Sequence, residues 1–96
     1  MSRYTLSPRA EADLTEIWDF TAKTWGEQQA EDYIRLLVGA IGTVADNPRR
    51  GRSCDEARKG YLKYLAGSRV IIFRKVKSGI GVVRVLHARM DFEQHL

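Results

Sequence analysis

Residues 61–87, YLKYLAGSRVIIFRKVKSGIGVVRVLH, read as three strands in quick succession. The runs Tyr61 to Ala66, Arg69 to Val76 and Ile80 to His87 are separated only by Gly67-Ser68 and Lys77-Ser78-Gly79. Connections that short and glycine-bearing imply antiparallel hairpins. Val70-Ile71-Ile72-Phe73 is apolar at every position, as expected of a central strand covered on both faces or partly covered by a partner.

Upstream of this sheet the period changes from two to three-and-a-half. Arg3 to Leu6 reads as a short strand with Tyr4 and Leu6 on one side, and Ser7-Pro8 marks a helix start. Serine caps free amides, and proline suits the first helical position, where no N–H is needed. Ala10, Leu14, Ile17, Trp18, Thr21 and Trp25 recur on one helical face, with Glu11, Asp13, Glu16 and Asp19 largely off it. Gly26 supplies a helix end, and Ala30, Tyr33, Ile34, Leu37, Val38, Ile41, Val44 and Ala45 form a second helical stripe. Gly39 and Gly42 inside it each cost about 1 kcal/mol relative to alanine, for which close helix packing is a reason. Asp46-Asn47-Pro48 ends the helix. Arg49 to Gly60 has no periodicity and is predicted to be an exposed loop. The expected architecture is α+β, a βααβββ domain whose helical hairpin packs on a small, mostly antiparallel sheet. One sheet face is left partly open to accept a protein segment.

At 96 residues the chain has room for one domain, expected to span 1–96. With 44% hydrophobic and 29% charged residues, its composition is that of a folded globular protein. No apolar run approaches the roughly 20 residues of a membrane span, and Met1 to Leu6 lacks a signal-peptide pattern; a cytoplasmic protein with no membrane association is expected. Cys54 has no cysteine partner, and with only His87 and His95 as nitrogen ligands neither a metal site nor any cofactor is expected.

The net charge of +4 conceals an asymmetry. Residues 1–48 hold four bases against eight acids, 4 − 8 = −4, and residues 49–96 hold twelve against four, 12 − 4 = +8. Such a field favours an anionic partner.

Chemistry finds little support in the residue types. Ser7, Ser53, Ser68 and Ser78 sit at a cap, in a loop and at turns, with no nucleophile-elbow context. No glycine-rich phosphate loop occurs either. What remains is a basic and ionisable set on the sheet and tail: Lys63, Arg69, Arg74, Arg84, His87, Arg89 and His95. A metal-free ribonuclease needs a general base, a general acid and cations for the transition state, and these are suitable types. Equally, Arg74 and Arg84 are the kind of side chain that pairs with carboxylates or solvent, and His87 the kind that ends a strand in a satisfied hydrogen bond. A DNA-binding regulator is disfavoured, because no helix combines basic residues with a turn-helix context; sequence-specific DNA binding by this chain is not expected.

Four stretches in order resemble ParE toxins of the ParE/RelE superfamily. They are Tyr4-Thr5-Leu6-Ser7-Pro8-Arg9-Ala10 with Asp13-Leu14 and Ile17; Trp25-Gly26-Glu27-Gln28-Gln29-Ala30 with Tyr33; Asn47-Pro48-Arg49-Arg50-Gly51; and Arg84-Val85-Leu86-His87-Ala88-Arg89-Met90-Asp91 with His95-Leu96. The resemblance implies the toxin of a type II toxin–antitoxin system, paired with a ParD-like antitoxin, binding DNA gyrase without chemistry or cofactor and arresting growth. RelE relatives instead cleave messenger RNA on the ribosome, and the tail here lacks the tyrosine those nucleases often use. Under the first reading the target-binding candidates are Arg84, His87, Arg89, Met90, Asp91 and His95. The antitoxin-binding candidates are Trp18, Trp25, Tyr33, Leu37, Tyr64 and Arg74. Under the nuclease alternative Arg69, Arg74, Arg84 and His87 are the catalytic candidates.

Overall fold

Ser7 links the sheet to the first helix. In the computed structural model, which describes residues 3–89, its side-chain oxygen accepts the Ala10 N–H at 3.0 Å and its hydroxyl donates to the Val83 carbonyl at 2.7 Å. Capping and anchoring thus come from one hydroxyl. Helix α1 runs Pro8–Trp25 and α2 runs Glu27–Asp46, with Gly26 alone between them. Gly26 adopts φ +99°, a backbone region that side chains with a Cβ rarely enter. One residue therefore reverses the chain into a helical hairpin.

Strand β1 (Tyr4–Leu6) precedes the hairpin, and β2 (Arg52–Ser53), β3 (Leu62–Ala66), β4 (Arg69–Val76) and β5 (Gly79–His87) follow it. The sheet order is β1-β5-β4-β3-β2. The pair β1–β5 is parallel and every other pair antiparallel. The three-strand meander predicted from residues 61–87 is therefore present, and the mostly antiparallel α+β architecture holds.

The core lies between hairpin and sheet. Ala10, Ile17, Leu37, Ile41 and Val44 from the helices meet Ile71, Phe73, Ile80, Val82 and Val85 from the sheet, all at 3% exposure or less. Each large side chain so buried contributes about 1.5–3 kcal/mol of transfer free energy. On the opposite face Cys54, Val70, Ile72 and Leu86 form a smaller cluster with Ala57, Tyr61 and Val83. The middle strand is thus covered on both faces, as its uninterrupted apolar run requires.

That second cover is supplied by the stretch expected to be an exposed loop. Residues 48–50 form a 3-10 turn and Arg52–Ser53 a fifth strand. Cys54 is fully buried, with its N–H on the Tyr61 carbonyl at 2.8 Å and its own carbonyl receiving Ala57 and Arg58. The sheet face left partly open in the sequence reading is therefore occupied over part of its area by the chain itself. Close packing does not account for Gly39, around whose absent Cβ nothing lies within 4 Å.

Candidate functional site

The decisive geometry starts from the mismatch between two strands. Strand β1 pairs only with residues 80–82 of β5, so residues 83–87 of β5 have no strand on that side. Backbone groups left so need other partners. Ser7 takes the carbonyls of Val82 and Val83, and the Asp13 carboxylate accepts the Val85 N–H at 2.9 Å. The same carboxylate receives Arg84 through Nε and Nη2, both at 2.8 Å. Asp13, itself buried, thereby bolts α1 to the free edge of β5. Its hydrogen bond holds the Arg84 guanidinium pKa above the ordinary value despite desolvation. Arg84 was expected to face a target or a substrate; its fork is instead engaged inside the fold.

A cleft of about 280 Å³ opens beside this bolt, lined by Glu16, Phe20, Arg69, Arg84 and His87 among others. Arg69 and His87 are direct cross-strand partners. His87 ends β5, and its Nδ1 accepts the Arg89 N–H at 3.2 Å, the satisfied strand-end arrangement weighed above. Arg69 is different. Its Nε is buried without a hydrogen-bond partner, and no other bond to its guanidinium occurs among the described residues. Of the four nuclease candidates the fold brings three together; Arg74 lines a separate hollow with Thr5, Tyr61 and Gly81.

Arg69 also borders a second, larger groove of about 420 Å³ between the two helices and the β3–β4 turn. Its walls include Phe20, Trp25, Asp32, Tyr33, Leu36 and Ser68. Tyr33 shares a 3.0 Å hydrogen bond with Ser68, tying α2 to the turn. Phe20, Trp25 and Leu36 are 62%, 68% and 50% exposed, which groups large apolar surface at one end of the hairpin.

The predicted antitoxin-contact residues therefore separate. Trp25 and Tyr33 meet in this groove. Leu37 is fully buried in the core, because it lies on the α2 face turned to the sheet, and offers no surface. Trp18 is half-buried on α1 outside the groove, Tyr64 packs against the core from β3, and Arg74 is exposed in its separate hollow. Phe20 and Leu36 were missed; their signal was large apolar side chains lying off the stripes that form the core. Arg89 is exposed, whereas Met90, Asp91 and His95 lie outside the described residues. Among the described residues no group of His, Cys, Asp and Glu is arranged to hold a metal, and no helix is long and apolar enough to cross a membrane.

Known proteins with this sequence and shape agree with each other. The solved structure titled "Chromosomal ParDE TA system from P. aeruginosa" superposes with a TM-score of 0.78 at 18% identity, over 91% of this chain and 96% of that one. The curated Toxin ParE1 of Mycobacterium tuberculosis is 55% identical over 96 residues, covering 99% of this chain and 98% of the relative. Toxin ParE1 of Caulobacter vibrioides is 40% identical with coverage of 100% and 99%. The sequence model described as "ParE toxin of type II toxin-antitoxin system, parDE" matches residues 4–92. The chain belongs to the ParE toxin family of type II toxin–antitoxin systems.

Proposed function

We propose that this toxin acts as a single domain, residues 1–96, in the cytoplasm, binding DNA gyrase without chemistry, and that a ParD-like antitoxin neutralises it from the groove beside Arg69. The observation that carries the reading is the partnerless, half-buried Arg69 guanidinium beside exposed Phe20, Trp25 and Leu36. A buried cation without an anion is unfavourable. A partner segment that brings a carboxylate to Arg69 and apolar side chains to the aromatic rim relieves that cost and covers the patch. The ParDE title of the Pseudomonas structure names such a pairing for that protein.

The non-enzymatic half of the reading is supported by how the cations are used. Arg84 is held by Asp13, Arg74 stands apart, and His87 receives the Arg89 amide. No base, acid and free cation converge as a ribonuclease requires. Arg89, together with Met90, Asp91 and His95, is then the target-facing segment.

The test places the purified toxin with gyrase and supercoiled DNA, alongside a ribosome-dependent messenger RNA cleavage reaction. Gyrase inhibition without transcript cleavage is expected, and truncation after Ala88 is expected to abolish it while leaving the circular dichroism spectrum intact. Transcript cleavage with undisturbed gyrase would replace this reading with the RelE one, and His87 and Arg69 would become the first residues to substitute.

A further inference from the structure

The opposite end of the sheet holds an unfinished edge. Strand β2 pairs only with Leu62 and Lys63 of β3, so Tyr64, Leu65 and Ala66 have no neighbour on that side among the described residues. Backbone donors and acceptors in such a row are a template for another strand. Proteins blunt such edges with charge or proline, yet here Leu65 stands 66% exposed.

The side chains around this edge specify what fits. Leu62, Tyr64 and Ala66 pack under the helices, so Lys63 and Leu65 point to the opposite face. Arg52, the direct partner of Lys63, shares that face. Arg50, Arg52, Lys63, Tyr64 and Leu65 together line a cleft of about 470 Å³ with no carboxylate in its wall. Lys63 reaches Glu56 only at 3.9 Å, while Arg50 and Arg52 bond no carboxylate among the described residues.

We infer that this edge is a second interaction surface, taking an extended acidic peptide segment that continues the row where β2 stops. Its backbone pairs with residues 64–66, one apolar side chain covers Leu65, and flanking carboxylates meet Arg50 and Arg52. A polyanion such as duplex DNA would satisfy the cations but leave the strand edge and Leu65 without a role, so the peptide accounts for more of the surface. The site lies on the sheet face away from the helix groove and does not depend on the antitoxin assignment.

The experiment titrates the isotopically labelled toxin with a peptide of alternating glutamate and valine, with its lysine counterpart, and with duplex DNA of arbitrary sequence. The acidic peptide is expected to shift the amide resonances of Tyr64, Leu65 and Ala66, and the lysine peptide to leave them in place. Reversing both charges in the Arg50→Glu/Arg52→Glu variant is expected to weaken binding roughly tenfold. Leu65→Thr, which keeps a strand-compatible residue, is expected to weaken it several-fold. Shifts confined to other residues, no shifts at all, equal response to both peptides, or tighter binding of DNA than of the acidic peptide at these amides would each overturn the inference.

Discussion

Two arginines on neighbouring strands face the same cleft and have opposite fates. Arg84 is gripped by a buried aspartate from the first helix, whereas Arg69, opposite His87 on the next strand, has no anion among the described residues. The first arrangement is complete within the chain and belongs to the fold. The second is incomplete and borders exposed aromatic surface, so its missing half belongs to another molecule. Residue type and strand position do not distinguish the two; only the presence of Asp13 does.

The largest effect should come from removing that distinction. Asp13→Ala leaves Arg84 and the Val85 amide without their acceptor, and a loss of about 3 kcal/mol in unfolding free energy is expected by chemical denaturation. Arg69→Ala should change stability by less than about 0.5 kcal/mol while weakening antitoxin binding roughly tenfold, as measured by calorimetry. Equal destabilisation by both variants would show that Arg69 belongs to the fold after all.

Trp25→Ala should weaken antitoxin binding by about 2 kcal/mol, roughly thirtyfold, with the thermal midpoint nearly unchanged, because the side chain is exposed at a groove rim. Gly39→Ala should raise stability by about 0.5–1 kcal/mol, since the added methyl meets nothing within 4 Å in mid-helix. A destabilised Gly39→Ala would reveal a contact on the outer surface of α2.

Cys54 belongs with the self-contained part of the molecule. Burial, with help from Glu56, pushes its thiol pKa up, so the folded state favours the neutral form. That contribution is fully present below the unfolded thiol pKa of about 8.5 and is lost as pH rises through the higher folded value. Wild-type stability should therefore fall more steeply above pH of about 8.5 than that of Cys54→Ala, and parallel pH profiles would remove the thiol from the account.

The sheet and hairpin were legible because their periods are strong and their breaks are chemically marked, as at Ser7-Pro8, Gly26 and Gly67-Ser68. The Asp13–Arg84 bond was not, since it joins residues 71 positions apart and no local pattern records a long-range ion pair. Strand β2 has two residues, too few to show alternation. Leu36 and Leu37 illustrate the difficulty at the groove: neighbours on α2, one is half-exposed and the other fully buried. A helix that is apolar on more than one face does not declare which face the sheet will take. The wrong leucine was therefore assigned to the surface, while Trp25 and Tyr33 were assigned correctly to a common groove.

The parallel pairing of β1 with β5 has a consequence for how the molecule is born. Tyr4 meets Ile80, 80 − 4 = 76 positions later, and Asp13 waits nearly as long for Arg84. The helical hairpin can form early from local contacts, but its first strand has nothing to pair with until β5 has left the ribosome, several seconds later at about 5–20 residues per second. The cleft beside Arg84 and His87 is therefore absent from every shorter nascent chain, and the toxin acquires its recognisable surface only near the end of its own synthesis.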